Sequence, residues 1–326
     1  MLYFSKIPKE IEGLESLFFL NLFENTIQGS IPFENLAKSL VNLILPVNNI
    51  QGSIAAESLQ EFKKLRTLWL DWNQLTGTLP TNMAADLPLL TVASFGNNLL
   101  EGPIPRSFFQ IEGIETVVLS NNMLTGTLPE ISLSKINSLD VQGNFIEGTI
   151  PQSVSSLAGA YLFSFIDNQI SGTIPTQMAS LTNLQFLGLS GNLMTGDPTS
   201  QDFLWELSNL NSLFLGSNEF TGSLHSGIGK LSKLQKFGIE SNAIVGTLPP
   251  VIGNLTELEL LTLSYNQFTG TIPTEFAQLT KLGKSAMLAF PWFASGFRRR
   301  ILSLTRCVSY FLFAFRPTSL VKTQTS

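Results

Sequence analysis

The sequence predicts a solenoid: a stack of short coils, each adding one strand to a single long parallel sheet. Three observations carry this. A phrase such as LSYNQFTGTIP at 263–273 recurs along the chain, as IESNAIVGTLP at 239–249 and LDWNQLTGTLP at 70–80. Its asparagine returns eleven times at spacings of 22 to 26 residues, averaging 24.1. Around each asparagine, apolar and polar residues alternate with strand periodicity. A fixed period of this size is the mark of a repeat architecture and outranks any local signal.

The asparagines are Asn25, Asn48, Asn73, Asn98, Asn122, Asn144, Asn168, Asn192, Asn218, Asn242 and Asn266. Counting from each as zero, positions −5, −3 and +2 are apolar in all eleven copies, as Leu261, Leu263 and Phe268 are in the last. The −5 and −3 pair makes one short strand with one buried face. The asparagine stands where the strand ends. Its amide both donates and accepts, so it can satisfy backbone groups freed by the turn, and a stack of such residues forms a ladder between repeats.

Glycine follows at +4 in all eleven copies, from Gly29 to Gly270, where a Cβ would hinder the backbone. Proline follows at +7 in eight, with Ala55, Thr199 and His225 as the departures. It fixes an extended bend and removes a donor. Apolar residues three apart, such as Leu255 and Leu258, then carry the chain through the core. No single repeat can bury its apolar face, so stacking must do so. Eleven parallel strands about 4.8 Å apart give a sheet roughly 50 Å long.

Composition agrees. Of 326 residues 44% are hydrophobic and only 13% charged, since much of each unit faces a neighbour or a turn. Charge is unevenly placed. Residues 1–282 carry 12 Lys+Arg and 24 Asp+Glu, a net −12, while 283–326 carry 7 basic residues and no acid. The expected organisation is a repeat array over 1–282 and a basic, apolar tail over 283–326, disordered or non-native.

The pattern LxxLxxLxLxxNxLxGxIP, closely matched by LTNLQFLGLSGNLMTG at 181–196, resembles the plant-type leucine-rich repeat, and the match covers about 7–282. Arrays of this type form the ectodomains of plant receptor-like kinases and receptor-like proteins, and secreted inhibitors of cell-wall-degrading enzymes. They also occur in algae such as diatoms. The resemblance implies an α/β solenoid, a right-handed, L-domain-like superhelix with its parallel sheet on the concave face. It also implies recognition of a peptide, protein or glycan.

The chain departs from that family at both ends. The family's cysteine-paired cap is missing, and Ile7-Pro8 enters mid-repeat. A twelfth repeat opens with Leu279 and Leu282, then fails at Ser285 and Phe290, so the array looks cut at both ends. The N-terminus has no apolar segment of secretory type. In the tail, the longest uncharged run is 285–297, too short for a spanning helix of about 20 residues. Three readings of the tail stay open: a product of mis-splicing or frame error, a segment making contact with a membrane surface, or a folded cap.

Chemistry has little footing. His225 is the only histidine, on a turn, and excludes a metal cluster built on several histidines. Cys307 is the only cysteine. Gly283-Lys284-Ser285 lacks the first glycine of a phosphate loop, having Gln278 there. The expectation is a protein that is not an enzyme, with no cofactor, no metal and no nucleic-acid partner. One N-glycosylation sequon, Asn254-Leu255-Thr256, falls on the convex side.

Binding belongs to the strand face, where positions −6, −4 and −2 point away from the core. Early repeats are bulky there (Phe19, Phe23, Trp69, Asp71, with Trp72 at the rim) and middle ones small and polar (Ser94, Ser120, Ser138, Asp140, Gln142, Ser164). Later ones mix Phe186, Phe214, Lys236 and Glu240 with glycines. The candidate ligand-binding residues are Phe23, Trp69, Asp71, Trp72, Asp140, Gln142, Phe214, Lys236 and Glu240. Aromatic rings offer area for sugars or side chains, but they are also ordinary strand residues that cover their neighbours. Peptide receptors of the family often hold a ligand's terminal carboxylate with paired arginines. This face has one cation, Lys236, which favours a neutral or cationic ligand.

The leading expectation is a non-catalytic recognition module, receptor-like or secreted. It would be extracellular or membrane-associated if the missing signal is a gene-model defect, and cytoplasmic otherwise. The alternative is an intracellular scaffold for protein–protein interaction, favoured by the absent signal and cysteine caps.

Overall fold

The computed structural model of the chain describes residues 6–131, 135–198 and 202–283. Eleven coils follow one another, numbered here by their asparagines from Asn25 (coil 1) to Asn266 (coil 11). Each gives a three-residue strand, from Phe19–Asn21 and Asn42–Ile44 to Lys236–Gly238 and Leu260–Thr262. The eleven pair in parallel, in chain order, as one sheet. Register is kept slot for slot: Phe19 lies opposite Asn42, Asn42 opposite Thr67, and Lys236 opposite Leu260. A one-residue slip would turn every apolar side chain outward, and the −5 and −3 leucines and phenylalanines of coils 2 to 11 are buried.

The asparagines close each strand by the same bonds. In coils 2 to 11, Oδ1 accepts the N–H of the +2 residue one coil back at 3.0 Å, from Ile27 to Asn48 through Ile244 to Asn266. Nδ2 donates to carbonyls of both coils. For Asn144 these are Leu119 one coil back, at 3.0 Å, and Val141 and Gln142 of its own coil. Asn25 is exposed and its amide donates to Leu22 and Phe23 of its own coil.

Two features were not expected. The sequence pattern placed one strand in each coil; the structure has two. After the asparagine the chain runs extended again, as in Gln74–Thr78 and Leu99–Pro103, and these segments pair in parallel across coils. They form sheets of five, four and two strands, joined by the bridges Thr127↔Glu147 and Ser223↔Val245. The alternation here is broken by the +4 glycine, whose φ lies between +73° and +89° in every coil, so periodicity does not reveal it. The reason for glycine is double. Besides the left-handed φ, an added Cβ would meet the preceding coil's +5 side chain, as at Gly172 with the Thr149 methyl at 2.9 Å.

The second feature is the residue just before each asparagine. It too has positive φ in all eleven coils, 52–70°, and carries a side chain in nine, among them Val47 (57°), Trp72 (55°) and Tyr265 (56°). Hydrogen bonds to the neighbouring coil hold this conformation, as where the Val47 N–H donates to the Asp71 backbone carbonyl at 3.0 Å.

On the opposite side the proline starts a 3₁₀ turn, as Pro151 does before Gln152–Ser156 and Pro175 before Thr176–Ser180. Coils 3 and 8 use short α-helices, Met83–Asp86 and Asp202–Glu206. His225 takes the proline's place with φ −73° and ψ 151°, and its Nδ1 accepts the Gly227 N–H at 3.1 Å. The predicted tail lies outside the described residues apart from Gly283, whose N–H donates to the Glu259 backbone carbonyl. Among the described residues no helix is long and apolar enough to cross a membrane.

Candidate ligand-binding face

The in-register sheet lines up the −6, −4 and −2 positions as three ranks running across the coils. Where two large groups meet along a rank they pack; where a small residue sits, its neighbour leans over it. This decides what each candidate does.

In coil 3 the Trp69 indole N–H donates to Asp71 at 2.8 Å. The Ser94 hydroxyl and the Gly96 N–H, one coil on, also donate to that carboxylate, at 2.7–2.8 Å. Trp69 and Asp71 therefore form one fixed unit, half-buried. Burial pushes the Asp71 carboxyl up to about 6 against the pull of these three donors. Trp72 stands on the rim, 45% exposed. Phe23, in coil 1, is 43% exposed, beside Phe19 at 45%.

The centre is closed. Asp140 is 1% exposed and Gln142 6%, with Ser120, Ser138 and Ser164 buried around them. Asp140 Oδ1 accepts the Gln142 N–H at 3.2 Å, and Gln142 Oε1 accepts the Ser164 hydroxyl at 3.3 Å. Burial raises the Asp140 carboxyl to about 7, lowered in part by Gln142, Ser120 and Ser164 and raised again by the charge of Asp71. Small side chains in the middle of the face thus build a polar seam within the sheet surface rather than an open floor.

Further along, Phe214 packs on Phe186 with ring centroids 5.7 Å apart. The Ile166 side chain and the Phe186 ring come within 2.9 Å of where a Cβ on Gly188 would lie, and the Glu240 carboxylate within 2.9 Å of the corresponding points on Gly216 and Gly238. The glycines of this region are covered by neighbours. Glu240 accepts the Thr262 hydroxyl at 2.5 Å, and burial lowers the pKa of the half-buried Lys236 ammonium.

The candidates therefore separate into three groups, Trp69 with Asp71, Asp140 with Gln142, and Phe214 and Glu240 with their coil neighbours. Phe23 and Trp72 are exposed toward one end, and Lys236 lies half-buried toward the other, in the same coil as Glu240. Ser94, Ser120, Ser164 and Thr262 turn out to be the partners of the acids. Their signal was positional: each lies one coil from an acid, in the same rank or the next. Asn254 is exposed at the end of the 3₁₀ turn Pro250–Asn254.

Eleven in-register coils closed by asparagine and glycine define a leucine-rich-repeat solenoid, with the eleven-stranded sheet on its concave side. The Leucine Rich Repeat family model matches residues 64–85 and 257–279. In sequence the chain is similar to plant receptor-like proteins. Receptor-like protein 35 of Arabidopsis thaliana is 36% identical over 150 residues, 45% of this chain and 15% of that protein. Cuscuta receptor 1 of Solanum lycopersicum is 28% identical over 226 residues, 66% of this chain and 19% of that protein. The crystal structure of a TDR receptor superposes with a TM-score of 0.80 at 30% identity, over 85% of this chain and 48% of that one. The ectodomain of the Arabidopsis receptor kinase HAESA, solved with a peptide hormone ligand, gives 0.64 at 25% identity, over 86% and 56%. The chain spans 13–27% of the length of the curated relatives it matches.

Proposed function

We propose that this array is a non-catalytic recognition module of receptor-like type that binds a peptide or protein segment along its concave face. The observation that carries the reading is the distribution of exposed side chains on that face. Phe19, Phe23 and Trp72 are exposed and Trp69 half-buried toward one end, while Phe186, Phe214 and Lys236 are half-buried toward the other. Between them lies a flat, closed, polar stretch. Large rings with little rotamer freedom at two ends of a rigid track suit an extended ligand that lies across several coils. The relatives support it: they are receptor-like proteins, and several structural neighbours were solved with peptide hormones bound. The shared fold alone would not justify the reading, since function lives in the site.

A phage-displayed library of random linear peptides, selected on the purified full chain, tests it. Enriched peptides are expected to bind the double variant Trp69→Ala, Trp72→Ala at least about tenfold more weakly. Peptides that bind this variant as well as wild type would overturn the concave-face assignment. An extracellular setting is part of the proposal. When the chain is routed through a eukaryotic secretory pathway behind a leader, the exposed Asn254 should gain a glycan that Asn254→Gln abolishes.

A further inference from the structure

Asp140 is the least ordinary group in the sheet. Its Oδ1 accepts the Gln142 N–H, but its Oδ2 is fully buried with no hydrogen-bond partner. Elsewhere on the face polar groups are matched. Asp71 takes three donors, Glu240 takes Thr262, and each of the ten inter-coil asparagine oxygens takes a backbone N–H. An acceptor left bare in a low-dielectric site costs more than the same atom in water.

The groups around it are of one kind. Ser120 flanks it from coil 5 and Ser164 from coil 7, both buried hydroxyls close enough to pull its pKa down, yet neither meets Oδ2 with hydrogen-bond geometry. Asp71 adds a second negative charge whose field reaches Asp140. Among the described residues no cationic side chain contributes to the shift of either carboxyl, and Lys236 stands four coils away, in coil 10. Gln142 reaches from coil 6 to the Ser164 hydroxyl in coil 7 by a bond of 3.3 Å, at the long end of the useful range, so its side chain is weakly held.

We propose that the bare Oδ2 of Asp140, with the Ser120 and Ser164 hydroxyls beside it, is the anchor for one protonated amine or guanidinium of the ligand, admitted as Gln142 swings aside. The inference rests on the concave-face recognition reading and names the chemistry of its central contact. A cation brings N–H donors to the unmet oxygen and a charge opposite to both carboxylates. Charge-assisted bonds of this kind are the strong ones, most of all where water is excluded. A neutral hydroxyl would satisfy the oxygen but leave its negative charge uncompensated, and an anion would be repelled.

The test titrates argininamide into the 15N-labelled full chain and follows the Gln142 side-chain amide, beside Asp140, which accepts the Gln142 backbone N–H. Gln142→Glu, which lacks that amide, assigns the resonance. Expected is a saturable shift with argininamide and none with citrulline amide, which keeps the shape and lacks the charge. Asp140→Asn, which keeps an Oδ1 acceptor, should weaken the interaction at least about tenfold. Equal shifts with both amides, or no shift at all because the site holds only a water molecule, overturns the anchor. The comparison of the two amides on wild type does not depend on how the variant folds. The two readings also fail separately. If library peptides bind the concave face yet carry no excess of Arg or Lys and bind Asp140→Asn unchanged, recognition stands and the anchor falls. If argininamide binds as described but no library peptide depends on Trp69 and Trp72, the anchor stands and that reading falls.

Discussion

The side-chain oxygen of Asn168 accepts the N–H of Ile146, 22 residues earlier, at 3.0 Å. The same amide donates to Val141 one coil back and to Phe165 and Ile166 in its own coil. One buried side chain thus completes four backbone groups in two coils. Asn168→Ala leaves them bare and should lower stability by roughly 1–3 kcal/mol, read from the denaturation midpoint. Asn25→Ala is the control: that residue is exposed and its amide bonds only within its coil, so its loss should stay under about 1 kcal/mol. Equal effects would show that bridging between coils contributes nothing.

Asp140 makes stability depend on pH in the direction opposite to a salt-bridged acid. Its carboxyl is raised from 3.8 to about 7 by burial. The folded state therefore holds the proton more tightly than the unfolded state, and stability falls as pH rises from about 4 through about 7. The penalty is absent below the lower value and complete above the higher one, with an upper bound on the order of 4 kcal/mol. Asp140→Asn removes the titration. Its melting temperature relative to wild type should rise between pH 5 and pH 8. A difference that is flat across that range would refute a buried carboxyl titrating near neutrality.

Val47 holds φ at 57° with a β-branched side chain, the least suitable type for the left-handed region. The same slot in coils 4 and 5 carries Asn97 and Asn121 at 54°. Val47→Asn should stabilise the protein by roughly 1 kcal/mol, since asparagine tolerates this conformation. A loss of stability in a thermal melt would mean that contacts of the half-buried valine outweigh its strain.

Gly172 joins a φ of +76° to a close approach by the Thr149 methyl at 2.9 Å. Gly172→Ala should cost roughly 1–2 kcal/mol or more. Thr149→Ser removes the methyl, so in the double variant only the backbone part of the cost should remain. Gly113→Ala, where the added Cβ would lie 3.7 Å from the Leu90 carbonyl oxygen, should be close to neutral. If both glycines respond alike, conformation and contact are not what selects glycine at +4.

The architecture was legible because it is written eleven times. Each unit repeats the same buried leucines and the same asparagine, so errors of local interpretation average out, and the slot-for-slot register follows from the fixed count between Leu and Asn. The second strand was not legible. A glycine of positive φ interrupts its alternation, and its pairing runs between coils rather than along the chain. The strained residue before the asparagine was equally hidden, because Glu24, Val47, Trp72 and Tyr265 share no side-chain property; the demand is on the backbone alone. On the concave face, the ranks were readable from periodicity, but burial was not. Asp140 and Trp69 look alike as outward positions, and only the size of neighbours one coil away makes the first sealed and the second accessible.

The inter-coil bonds have a reach that is nearly constant. The amides of Asn98 and Asn242 each meet partners 22 to 28 residues distant, and every strand meets only the strands of the coils before and after it. Each coil is therefore matched to a type of neighbour rather than to a particular one. Excising one whole unit, from any slot to the same slot in the next, brings together two faces already shaped for each other. Such a molecule has no intrinsic length. It can gain or shed units by unequal recombination without passing through a misfolded intermediate, while the side chains on its ranks change one unit at a time.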